Sequence, residues 1–203
     1  IVADKDIVFT DTILKQKKTI IIVDNPKMAI AKIGNEFFAK KIQPSIHHTA
    51  VIHPEAKIGK EVYIGPNAHI GNCIIGDFAQ IHENVIIGDG VTINKSVIIN
   101  AAAHIGVDGL GCQRNPDGTL VKFPHFGGIL IEDNVEIGTQ TVIARGVFTN
   151  TIIGKGSKIN VGCSIAHNVI IGENAWISAK VNIAGSVKIG KNTTIFMGVI
   201  IRD

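Results

Sequence analysis

Isoleucine keeps time along most of this chain. Ile46, Ile52, Ile58, Ile64 and Ile70 stand six residues apart, and after a five-residue step the series resumes at Ile75, Ile81, Ile87, Ile93, Ile99 and Ile105. A gap follows, then Ile131, Ile137 and Ile143, and after a longer step Ile153, Ile159, Ile165, Ile171, Ile177, Ile183, Ile189, Ile195 and Ile201. All 23 register positions are isoleucine. A period of six matches neither the 3.6 of a helix nor the 2 of a plain strand. It matches a parallel β-helix of hexapeptides, each a short strand plus a turn, three to a triangular coil of about 18 residues. The register isoleucines are expected to point inward and stack on their counterparts one coil away, at the ~4.8 Å strand spacing. Their branched Cβ suits a pleated, packed surface.

A second position is patterned. Four residues after a register isoleucine comes a small or β-branched residue, as at Val62, Ala68, Val85, Val97, Ala103, Val135, Cys163, Val169, Ala175 and Val181. Such residues fit a tight corner, while Gly and Asn supply the backbone angles that corners need. Residues 1–45 lack the repeat. Residues 19–24 read as a buried strand, and Asn25-Pro26 as an N-cap followed by proline at the first helical position. Ile30, Ile33 and Phe37 mark one helical face. So short a segment makes a poor independent domain. The expected organisation is a small α/β domain over 1–45, the remainder of such a domain docked on the first coils. An all-β solenoid follows over 46–203, with a loop insertion at 106–130.

Composition narrows the classes. Isoleucine occurs 39 times and leucine four, which speaks against leucine-based helical bundles, and 45% hydrophobic residues exclude a disordered chain. A net charge of +3 from 20 basic and 17 acidic residues suggests no nucleic-acid partner. Apolar runs such as Ile20-Ile21-Ile22-Val23 are too short to span a bilayer, and no secretory leader is visible. Cys73, Cys112 and Cys163 are few and far apart. They form no disulfide framework and no zinc spacing, as expected of a protein of the reducing cytoplasm.

The interruptions draw attention, because loops leaving a rigid solenoid carry function. The long one contains Gly106, Gly109, Gly111, Asn115-Pro116-Asp117-Gly118 and Phe123-Pro124-His125-Phe126-Gly127-Gly128. The short one, a tetrad after Arg145, reads as a structural insertion. His167, in Ile165-Ala166-His167-Asn168, falls at a coil turn. By residue type it is either a solvated turn histidine or a general base. Two features favour the base: it follows the broken stretch, within reach of the long loop, and Gly185 comes 18 residues later, one coil above. A base beside a free backbone N–H suits acyl transfer. His125 either touches substrate or packs the loop. His47, His48, His53, His69, His82 and His104 read as surface turn residues.

Several segments resemble the UDP-3-O-acylglucosamine N-acyltransferase family of lipid A biosynthesis. They are residues 19–32 (TIIIVDNPKMAIAK), the repeat entry at 46–59, the Gly106-Val107-Asp108-Gly109-Leu110-Gly111 loop closing on Val121-Lys122-Phe123-Pro124-His125-Phe126-Gly127, the run from Thr151-Ile152-Ile153-Gly154 to Ile165-Ala166-His167-Asn168, and Ala184-Gly185-Ser186. The resemblance implies a left-handed parallel β-helix, a hand that the usual right-handed crossover rule would not give. It implies a cytoplasmic homotrimer with sites at subunit boundaries. His167 would act as general base on the sugar amine and the Gly185 N–H as oxyanion donor. His125 and Asn168 would lie at the substrate, and Asn25 would be either a nucleotide contact or simply the helix cap. No cofactor is expected to be tightly bound; the acyl donor would be an acyl carrier protein thioester or acyl-CoA. The His48–His53 pair is similar to a spacing in hexapeptide-repeat carbonic anhydrases, but the third histidine about two coils upstream is missing, so no metal site is expected.

The end of the chain, residues 198–203 (GVIIRD), also resembles the solenoid end of acetyl-CoA-dependent amino-sugar N-acetyltransferases of surface-polysaccharide synthesis, the alternative reading. A non-catalytic structural β-solenoid is the alternative of a different class, and a scaffold would need neither His167 nor its partner Gly185.

Overall fold

The computed structural model describes every residue except 9, 12–14, 16–18 and 203. The chain divides into two compact units, 1–42 and 43–203. In the larger unit three parallel sheets of eight, eight and seven strands run the length of a solenoid, one strand for each register isoleucine. The first sheet starts at Ser45–Ile46, the second at Val51–Ile52 and the third at Lys57–Ile58. Isoleucine sits on isoleucine throughout: Ile81 pairs with Ile99, Ile99 with Ile137 and Ile137 with Ile159.

The stack forms one dry core. Register isoleucines from Ile64 to Ile183 are at most 2% exposed, whereas Ile46, in the first coil, is 53% exposed. The small residues four positions on point into the same core, where Ala68, Val85, Val135 and Val181 are wholly buried. Polar residues in this row are satisfied. Thr141 Oγ1 donates to the Asn160 carbonyl at 2.8 Å, and Ser157 Oγ to the Gly172 carbonyl at 2.8 Å. At the corners the chain enters the left-handed region, and Asn holds this position at Asn67, Asn84, Asn134, Asn168, Asn174 and Asn192. Asn tolerates that conformation because its short polar side chain bonds locally.

His69 and His104 are not turn residues. Each precedes a register isoleucine and lies on a strand, His69–Ile70 or His104–Val107, where alternation sends its side chain to the outer face.

The long interruption is ordered. The strand His104–Val107 runs on past its register isoleucine with an irregularity at Gly106 (φ +95°), and the repeat resumes at Ile129–Ile131. Between them Cys112–Arg114 and Leu120–Lys122 form an antiparallel hairpin. Its turn is the Asn-Pro-Asp-Gly sequence, with Gly118 at φ +89° and Asp117 Oδ1 accepting from the Thr119 N–H and hydroxyl. Those bonds hold the Asp117 carboxyl below its ordinary value.

In the 1–42 unit, Val2–Ala3 pairs in parallel with Ile21–Ile22. Helix α1, Pro26–Ile33, is capped by the Asn25 side chain, which accepts from the Met28 N–H at 3.0 Å. A π-helical turn, Gly34–Phe38, follows. The strand expected to be buried is not: Ile21 and Ile22 are 48% and 47% exposed. Nor does the apolar helical face find cover, with Ile30 and Phe37 exposed. Among the described residues of this unit, the two short strands and helix α1 leave these side chains exposed.

Candidate active site

Four successive coils turn the same corner, between the second and third sheets, at residues 108–128, 145–150, 166–169 and 184–187. The first two turns are the interruptions, the third carries His167 and the fourth carries Gly185. Steps of 26 and 10 residues between isoleucines conceal this alignment in the sequence; the stacked strands produce it.

Gly185 lies over the His167 ring. A Cβ added there would stand 2.6 Å from His167 Cε1 and 2.7 Å from Nε2, so only glycine admits the histidine. The coils are stitched at this point by the Ser186 N–H, which donates to the His167 carbonyl at 2.9 Å. Among the described residues the Gly185 N–H has no partner.

The short insertion sets the orientation of His167. The Val147 N–H donates to Asn168 Oδ1 at 3.0 Å, and Asn168 Nδ2 donates to the Thr149 carbonyl and hydroxyl at 3.0 and 2.9 Å. These partners leave no freedom to flip the amide. The Asn168 oxygen therefore faces His167 Nδ1, 3.2 Å away, as an acceptor. Nδ1 must carry the hydrogen, which leaves Nε2 with its lone pair free.

The long loop supplies the second histidine. His125 is only 7% exposed, and its ring meets that of His167 edge to face, centroids 5.5 Å apart. Its Nδ1 lies 3.1 Å from the Phe123 carbonyl. The two insertions join through the Phe126 N–H to Val147 O bond (2.7 Å) and through Phe148, which stacks on Phe126 and meets Phe123 edge-on. Arg145 anchors them, donating from Nε to the Gly127 carbonyl at 2.9 Å and from a terminal nitrogen to the Asp89 carbonyl at 2.6 Å.

His125, His167, Asn168 and Gly185 thus come together. Asn25 belongs to the 1–42 unit, where its side chain is engaged as a helix cap. Sequence reasoning missed Phe148, Arg145 and Thr151, whose hydroxyl accepts from the Asn168 N–H at 2.9 Å. The only signal for the first two was the broken count around Arg145. Among the described residues no three His, Cys, Asp or Glu side chains are placed to hold a metal ion.

No family model matches the chain. UDP-3-O-acylglucosamine N-acyltransferase 1 from Legionella pneumophila is 38% identical over 170 residues, which cover 74% of this chain and 48% of the relative. The chain is homologous to the UDP-3-O-acylglucosamine N-acyltransferases. The N-acyltransferase of Polynucleobacter asymbioticus is 35% identical over 174 residues, with 72% of this chain and 48% of the relative covered. The chain therefore spans about half the length of these curated N-acyltransferases. Among solved structures, LpxA, a UDP-N-acetylglucosamine acyltransferase from Bacteroides fragilis, superposes with a TM-score of 0.67 at 26% identity, covering 78% of this chain and 67% of that one.

Proposed function

We propose that this protein transfers an acyl group from a thioester to the amine of a nucleotide-linked amino sugar, in the manner of a UDP-3-O-acylglucosamine N-acyltransferase. The observation that carries the reading is the fit of the His167 ring against Gly185, at the corner where both insertions converge. His167 Nε2 takes a proton from the sugar amine as its nitrogen attacks the thioester carbonyl. The carbonyl oxygen, now an oxyanion, accepts the Gly185 N–H. Collapse breaks the carbon–sulfur bond, and the proton passes from His167 to the departing thiolate. Asn168 is a positioning residue, holding the tautomer that keeps Nε2 basic. His125 lines the acceptor side. Asn25, whose Oδ1 is engaged as the helix cap, is the proposed nucleotide contact of the 1–42 unit.

The names of the curated relatives favour N-acylation over the O-acylation of other hexapeptide enzymes. An acyl carrier protein thioester is the proposed donor and acetyl-CoA the alternative. We further propose a cytoplasmic homotrimer. In support, the outer face of the third sheet carries a row of Ile74, Thr92, Leu130, Ile152 and Ile170, apolar but for Thr92 and flanked by Lys57 and Lys188. All three cysteines are free, and no helix among the described residues is long and apolar enough to cross a membrane.

The test offers the protein acyl carrier protein thioesters and acetyl-CoA, each with UDP-3-O-acylglucosamine and with its N-acetylated counterpart, and reads products by mass spectrometry. An amide-linked product from the free amine only is expected. Absence of product with every donor, or equal acylation of the blocked sugar, would contradict the reading.

A further inference from the structure

One buried side-chain polar atom among the described residues lacks a hydrogen-bond partner, and it is His125 Nε2. An orphan of this kind is rare in a folded protein and asks for a reason. The Phe123 carbonyl, 3.1 Å from Nδ1, can only accept, so Nδ1 carries the hydrogen and Nε2 a bare lone pair. What is missing is an O–H or N–H donor. Gly109 lies over the atom: a methyl added there would stand 2.7 Å from Nε2. The cover is thin, drawn from a segment with Gly106 at φ +95° at its start and an exposed Leu110 beside Gly109. Beneath it, His125 sits ring-to-ring with His167, so a group reaching Nε2 is a close neighbour of whatever reaches the base.

We propose that His125 Nε2 accepts a hydrogen bond from a ring hydroxyl of the acceptor sugar. This inference rests on the N-acyl-transfer reading. On a glucosamine with a nucleotide at C1, the amine at C2 and an ester at O3, the ring substituents still able to donate as hydroxyls are those at C4 and C6. With the amine at His167, one of these two fills the orphan acceptor, and the Gly109 segment moves aside to admit it. A site built to bond a hydroxyl discriminates strongly against a ligand lacking it.

The test measures turnover and donor-free calorimetric binding of UDP-3-O-acylglucosamine and its 4-deoxy and 6-deoxy analogues. Wild-type protein is expected to lose roughly tenfold or more in kcat/KM, mostly through KM, with one of the two analogues. His125→Phe keeps the ring but not the acceptor and should treat that analogue and the parent alike. His125→Gln should restore part of the discrimination, and Gly109→Ala should weaken acceptor binding. Equal handling of all three sugars by the wild type overturns the inference, and this comparison needs no variant to fold. Discrimination that persists in His125→Phe overturns it as well. Hydroxyl-dependent binding without any acyl transfer would sink the catalytic reading and leave this one standing.

Discussion

At the residue scale the site depends on one histidine being held in one tautomer against one glycine. Gly185→Ala tests the fit. Its methyl would have to displace the imidazole, so turnover should fall on the order of a hundredfold, the cost of misplacing a reacting group by about 1 Å. Thermal stability should change little, because the corner is half open to solvent. Activity retained in this variant would mean that the ring lies elsewhere during turnover. The cysteines provide an independent check on the core. Burial, with the Asp89 carboxylate adding to it, pushes the Cys73 thiol up to about 11, and burial also raises Cys163, whereas Cys112 is exposed on the hairpin. A disulfide reagent at pH 8 should titrate one thiol in the native protein and three in denaturant. Three fast thiols in the native state would contradict the packing.

At the element scale the informative unit is the corner. Asn168 links the short insertion to His167 while sitting at φ +59°. Asn168→Gly accepts that backbone conformation but removes every side-chain bond, so it should cost about 1–3 kcal/mol and lower turnover at least tenfold. Asn168→Ala adds backbone strain of about 1–2 kcal/mol. Chemical denaturation should rank wild type above Gly above Ala, and equal stability of all three would contradict the bonding. The register was legible in the sequence because each isoleucine obeys a local rule that stacking merely repeats. His167 over Gly185 was legible for the same reason, since no insertion lies between them. The convergence of both insertions on that corner was not, because irregular steps hide which corner they leave from. The short one, read as structural, proves to hold Asn168. The hairpin was signalled by its Asn-Pro-Asp-Gly turn, though the flanking strands are too short and too exposed to announce themselves. The strand at 19–24 was misread as buried because apolar residues reveal a tendency to be covered, not whether a second layer exists to cover them.

At the scale of the molecule, the solenoid's stability is a sum over stacked coils, each touching its neighbours. Ile137, wholly buried between Ile99 and Ile159, should cost roughly 2–5 kcal/mol on replacement by alanine. Ile46, in the first coil and 53% exposed, should cost far less. Similar losses at both positions in denaturant titrations would contradict a core built by stacking. The same rigidity holds four corners in line, so that His167, Asn168, His125 and the Gly185 N–H meet from residues up to 60 apart in the chain, His125 to Gly185. The central claim is that this alignment serves acyl transfer through His167. The most direct measurement is kcat/KM for N-acylation of UDP-3-O-acylglucosamine by the wild type and by His167→Ala, with the fold of both verified by circular dichroism. A loss of at least about a hundredfold in a folded variant is predicted; turnover equal to wild type would contradict the account.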